Sequence, residues 1–365
     1  MKRFALTAAA AAMAATAGLS GTASADTELV VVSWGGAYSA SQQNAYHDPY
    51  MKMHSDVSIV NDDSSNEAVA KLRAMNEAGN VTWDLVDVVA ADAIRLCDEG
   101  LAMPIDHDKV LKPAPDGTPA SEDFGDLIVS ECFIPQIVYS TTFGYRTDMV
   151  DEKPTSVCDV FDVEKFPGKR ALEKRPINNL EWALICDGVD PTNVYDVLGT
   201  QEGVERALAK LDTIKDHVVW WTKGAQTPQL LADGEVVMGS TYNGRLFSVI
   251  EEEKQPIAML WDWQVFDLDG WIVPVGTGHK EEVFEYLKFA TDTQRLADQA
   301  KYISYGPARK SSAPLVGKHA ELGIEMAPHM PTDPANAKTT LLYNYEFWAD
   351  NRDDIDERFQ AWLLE

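Results

Sequence analysis

Leu260-Trp261-Asp262-Trp263-Gln264-Val265-Phe266-Asp267-Leu268-Asp269-Gly270-Trp271-Ile272-Val273-Pro274 sets three tryptophans and three aspartates among apolar residues. At strand period successive side chains face opposite ways, so Asp267, Asp269 and Trp271 share one face while Phe266, Leu268 and Ile272 anchor the other in a core. A carboxylate pair beside an indole suits an ammonium group. The oxygens accept charge-assisted hydrogen bonds, and the ring face adds a cation–π attraction of roughly 0.5–2 kcal/mol. The competing reading is a solvated acidic hairpin whose tryptophans pack as core.

Outward from this stretch, 365 residues at 45% apolar content are enough for two domains, each with its own core. Met1-Lys2-Arg3, an alanine-rich run to Leu19, and Ala23-Ser24-Ala25 before Asp26 have the form of a secretory signal, residues 1–25, with an A-x-A cleavage site. The run is short for a transmembrane anchor, and no cysteine stands at the cleavage point to carry a lipid, so a soluble periplasmic protein is expected. Loss of Lys2 and Arg3 takes the net charge from −27 to −29. Such acidity argues against a nucleic-acid partner, because phosphate contacts need a basic face, and it favours the capture of cations. Four cysteines in an exported chain, with no CxxC, point to disulfides. Three pairings are possible; Cys97–Cys132 and Cys158–Cys186 are expected because sequence neighbours close short loops.

Along the chain, the strand Glu28–Ser33 ends at Trp34-Gly35-Gly36-Ala37-Tyr38, a turn that holds two aromatic residues at a strand's carboxyl end. Neither GxGxxG nor a P-loop completes it. A helix through His54, a strand at 57–60, a helix over 66–78 and a strand at 83–89 give β-α alternation, hence sheets that are mainly parallel and flanked by helices. Asp92, just past a strand end, either caps a helix or faces a cleft. Extended runs near 132–145 cross into a second lobe, where helices near 179–184, 202–214 and 226–232 accompany strands at 218–221 and 236–240. Tyr242-Asn243-Gly244-Arg245 again puts an aromatic residue after a strand. The opening stretch returns the chain to the first lobe. The lobes are assigned as 26–140 plus 268–305, and 141–267 plus 306–365, joined so that they can hinge and shut on a solute.

This order of motifs resembles the periplasmic solute-binding proteins of ABC importers, specifically the spermidine/putrescine-binding group. The marks are Trp34 and Tyr38 after the first strand, Asp84-Leu85-Val86 ahead of Glu99-Gly100-Leu101, and Gly234-Glu235-Val236 leading to Tyr242-Asn243-Gly244. Asp269 before Ile272-Val273-Pro274, and Tyr305 beyond the next helical pair, complete the set. The resemblance implies the two-lobed type II binding-protein fold with its ligand between the lobes. It also implies methylene contacts from Trp34, Tyr38 and Tyr242, an ammonium contact from Asp269, and a further contact from Tyr305. Glu181 is the nearest match for a second acidic contact. The chain departs from the group at Val89 and Ala91, where Asp92 is a substitute, at Asp267, where an aromatic residue is expected, and at Arg245, a cation beside the pocket.

Arg245 divides the ligand hypotheses. Pointing inward it suits a carboxylate and a zwitterionic amine such as an amino acid or betaine; paired with a neighbouring acid it leaves a polyamine favoured. The expectation is a polyamine-like cation of the putrescine/spermidine class, handed by a monomeric protein to an inner-membrane ABC permease. No cofactor or metal is expected, although tyrosine-chelated ferric iron is a further alternative. A secreted enzyme finds little support, for neither GxSxG nor HExxH is present and His47 and His54 lack a third ligand. Asp267 and Asp269 acting as acid and base of a hydrolase is the one form it takes.

Overall fold

The computed structural model describes residues 27–365, so the expected signal segment lies outside it. Ten strands form one sheet: β1 (Thr27–Val32), β2 (Val57–Asp62), β3 (Leu85–Val89), β4 (Ile134–Arg146), β5 (Arg170–Glu173), β6 (Val218–Trp221), β7 (Met238–Tyr242), β8 (Ile257–Ile272), β9 (Gly306–Pro307) and β10 (Thr340–Leu342). The order is β2-β1-β3-β8-β4-β7-β5-β6, with β10 on β8 and β9 on β4. The flanking triads β2-β1-β3 and β7-β5-β6 are parallel, whereas β8 and β4 run antiparallel to each other and to their flanking neighbours. Each triad is the nucleus of one lobe, and the two long strands belong to both.

Alternation along the buried strands explains why each lobe has three layers. Val31 points into a cluster with Tyr46, Leu85, Trp271 and Tyr286, and its neighbour Val32 into one with Leu72, Val86, Leu96 and Ile272. In the second lobe Leu172 joins Phe143, Trp182, Leu211, Trp348 and Phe359, while Ala171 packs with Trp221, Leu231 and Leu246 on the opposite face. Both expected disulfides are present. Cys97–Cys132 ties helix Ala90–Asp98 to the start of β4, and Cys158–Cys186 closes a loop within the second lobe.

The opening stretch is a continuous crossing strand, not a hairpin. Its pairing with β4 slips between Thr141 opposite Val265 and Phe143 opposite Leu260, and Trp263 there adopts a left-handed backbone with φ 50°. The extra residues form a bulge that separates the strand's two duties. Upstream it serves the second lobe; downstream it pairs with β3 through Asp269–Ile272. Arg309 and Ser311 still bind Asp123 in the first lobe, so we propose that the chain's final return to the second lobe, expected after Tyr305, comes after Ser312. Across the lobes, helix Ala90–Asp98 meets the C-terminal helix Tyr345–Leu363 through Arg352–Asp92 at 2.5 Å and Arg95–Asp353 at 2.7 Å.

Candidate functional site

The strand ends converge on a cavity of about 260 Å³ between the lobes. At the end of β1, Gly35 and Gly36 both lie in the left-handed region, φ 74° and 60°, which glycine adopts without steric cost. The turn they form brings Trp34 and Tyr38 to the cavity wall. Tyr242, at the end of β7, faces them from the second lobe. Tyr139 on β4 and Tyr305 fill the space between, with Tyr139 at 5.5 Å from Tyr242, Tyr305 at 6.1 Å from Tyr139, and Tyr38 at 5.9 Å from Tyr305. These rings form an apolar wall whose phenols stay neutral, because burial raises the pKa of each.

One pole of the cavity is acidic. Val89 pairs with Asp269 and Asp87 with Trp271, so Asp87 and Asp269 are diagonal neighbours on one face of the β3–β8 ladder. Asp87 accepts hydrogen bonds from Tyr38 Oη at 3.0 Å, Trp34 Nε1 at 3.3 Å and Gln42 Nε2. Burial pushes the Asp87 carboxyl up to about 6 despite those donors. Burial and the facing charge of Asp87 raise Asp269 well above the ordinary carboxylate range.

The other pole is basic. Arg245, on the short helix Asn243–Phe247, lines the cavity and reaches across it to donate from Nη2 to the Trp34 carbonyl at 3.4 Å. Its Nε is buried without a partner, and it forms no ion pair among the described residues. Arg175 is already occupied, lying 2.6 Å from Glu173 while contacting Tyr242 Oη. Close approach here depends on missing side chains. A Cβ on Gly224 would sit 2.7 Å from the Tyr242 ring and 2.9 Å from Arg245 Nε, and one on Gly244 would sit 2.6 Å from the Tyr305 ring.

Six of the residues singled out from sequence meet in this cavity: Trp34, Tyr38, Tyr242, Arg245, Asp269 and Tyr305. Four do not. Trp271 is fully buried in the first lobe's core, 5.7 Å from the Tyr46 ring and edge-on to it. Asp267 sits behind the wall, where Tyr139 Oη donates to it at 2.7 Å. Asp92 binds Arg352 across the lobes instead of facing the cleft. Glu181 is buried against the C-terminal helix, accepting from Trp348 Nε1 at 2.8 Å, and its carboxyl is pushed up to about 7 by desolvation.

Sequence reasoning missed Asp87, Tyr139 and Glu173. Asp87 carried a usable signal, since a carboxylate inside the apolar run Leu85–Val89 must be partnered or protonated. Glu173 ends β5, a strand not anticipated, and lines the second-lobe side of the cavity while paired with Arg175. Among the described residues no cluster of histidine, cysteine and acidic side chains forms a metal site.

Residues 45–332 match the family model described as bacterial extracellular solute-binding protein. The chain is 36% identical over 334 residues to the gamma-aminobutyric acid-binding protein of Pseudomonas aeruginosa, spanning 92% of this chain and 90% of that one. Among solved structures, the Atu4243–GABA receptor superposes with a TM-score of 0.78 at 31% identity, over 92% of this chain and 97% of its own. MotA of A. tumefaciens B6, solved with glucopine, gives 0.81 at 28% identity, over 92% and 99%. A Streptococcus pneumoniae spermidine/putrescine-binding protein, at 14% identity and a TM-score of 0.62 over 92% and 99%, shares the fold alone. Nothing in these similarities singles out the polyamine group.

Proposed function

Because the chain belongs to the bacterial extracellular solute-binding protein family, we propose that it captures a small zwitterionic ω-amino acid of the GABA type in the periplasm and delivers it to an ABC importer. It is a binding protein and not an enzyme. The reading of Asp267 and Asp269 as a hydrolase pair is set aside with it, Asp267 being tied to Tyr139 away from the cavity.

The observation that carries the reading is the cavity's two-pole character. A guanidinium with no ion pair among the described residues stands on one lobe and Asp269, with Asp87 buried beside it, on the other, with tyrosine and tryptophan rings between them. A guanidinium suits a carboxylate through parallel N–H donors. A diamine would leave Arg245 facing a second cation, and Glu173 is already matched by Arg175. The amine end meets Asp269 and Asp87, the methylenes lie on Trp34, Tyr38 and Tyr305, and the acid end meets Arg245. The names of the GABA-binding relatives point the same way.

Two charge-assisted contacts at about 1.5–3 kcal/mol each, plus ring contacts, reach the roughly −8 kcal/mol of a micromolar ligand after ordering costs. A ligand that touches both lobes stabilises the shut form, because it binds that form better than the open one. Calorimetric titration of the purified protein with GABA, putrescine and spermidine tests the assignment. GABA is expected to bind at least tenfold more tightly than either polyamine; the reverse ranking restores the polyamine reading.

A further inference from the structure

The carboxyl pair raises a question of charge. Asp87 is fully buried and Asp269 is 5% exposed. The groups facing them are Tyr38, Trp34 and Gln42 from the Gly36–Gln42 segment and its preceding turn, and Gln136 and Tyr139 from β4. Tyr305 approaches from the loop before β9, and Asp267 lies further along β8. All are neutral except Asp267, which adds negative charge. Arg245 and Lys223, the cations that line the cavity, are ion-paired with neither acid among the described residues. Two facing carboxylates, desolvated and without a cation, cannot both ionise cheaply.

We propose that ligand capture is a proton exchange: a primary ammonium takes the place of a proton shared by Asp87 and Asp269, and the displaced proton leaves to solvent. The inference rests on the amine-binding reading above and concerns how that amine is recognised. Before binding the pair carries one proton and one negative charge; afterwards it holds two carboxylates and one ammonium, again with a net charge of −1. No bond other than O–H is broken, and the buried charge is conserved.

Specificity follows from the hydrogen bonds. Gly270 N donates to Asp269 Oδ1 at 3.0 Å, and the three donors to Asp87 are fixed. The oxygens that shared the proton need N–H donors from the guest. A primary ammonium offers three, whereas a trimethylammonium offers none and leaves both carboxylates unsatisfied. This separates ω-amino acids from their betaines, which carry the same charges at the same spacing. The raised pKa values of both acids agree with a proton held at neutral pH.

The test is calorimetry of GABA binding at pH 6.5 in phosphate and in imidazole, buffers of different ionisation enthalpy, with 4-(trimethylammonio)butanoate titrated beside it. Release of close to one proton per ligand is expected, with affinity rising close to tenfold per pH unit between pH 5.5 and 7, and the trimethyl analogue at least 100-fold weaker. Asp87→Asn should abolish the proton release in whatever binding remains. Buffer-independent enthalpy in the wild type, or a trimethyl analogue within tenfold of GABA, overturns the proposal. If GABA fails to bind and another primary amine binds with proton release, the GABA assignment falls while the exchange stands.

Discussion

Asp269, which we propose as a ligand contact, also burdens the fold. A carboxyl whose folded pKa is raised adds stability below its unfolded value, near 3.9, and that contribution is lost as pH rises through the folded value. Asp269→Asn removes the need to hold a proton or a buried charge. It should weaken GABA binding by about 1.5–3 kcal/mol while the ligand-free variant melts at or above the wild-type temperature at pH 7.5. That advantage should vanish at pH 4, and melting curves at the two pH values with a titration at the higher one measure all three. At this scale the sequence was half legible. Residues just past strand ends, Trp34, Tyr38, Tyr242 and Arg245, were found because strand ends face the cleft. Trp271 and Asp267 obey the same alternation as Asp269, but depth along a strand decides whether a side chain meets core, wall or cavity, and period-2 reasoning carries no depth.

Apart from the short strands β5, β9 and β10, which were not anticipated, the main strands and helices were read with small errors at their ends, since buried β-branched runs and amphipathic stripes dictate them locally. The bulge at Trp263 was not read, because it arises from pairing with β4, a partner more than a hundred residues away. Loops set the cavity's fine dimensions. Gln226 Oε1 accepts from the backbone amides of both Thr222 and Lys223, and the Thr241 hydroxyl donates to the Gly224 carbonyl. That pinning holds Gly224 beneath Tyr242 and Arg245. Gly224→Ala puts a methyl group inside contact distance of both, and overpacking of about 1–3 kcal/mol falls on groups that line the cavity. An affinity loss of about tenfold or more is expected, with a melting temperature close to wild type because the loop is exposed. Unchanged affinity in calorimetry would remove this loop from the site's construction.

For the whole molecule, the two lobes and the crossing of β4 and β8 between them were legible, because β-α alternation admits few topologies, whereas the order of strands in the sheet was not read. The contact between helices Ala90–Asp98 and Tyr345–Leu363 was not, and it drew Asp92 and Glu181 away from the cleft. Each lobe carries one disulfide. Replacing Cys158 and Cys186 by serine should lower the stability seen in denaturant unfolding by about 2–4 kcal/mol, while GABA affinity changes less than twofold, since neither residue lines the cavity. A larger loss of affinity would mean that the second lobe's core fixes Tyr242 and Arg245 through that crosslink.

Both lobes contribute a pole to the cavity, and the account stands on a guest that bridges them. A crystal structure of the protein with GABA tests this most directly. The expected result is the ligand carboxylate within hydrogen-bonding distance of Arg245, its ammonium on Asp269 and Asp87, and its methylenes against Trp34 and Tyr38. A ligand bound the other way round, or outside this cavity, would contradict it.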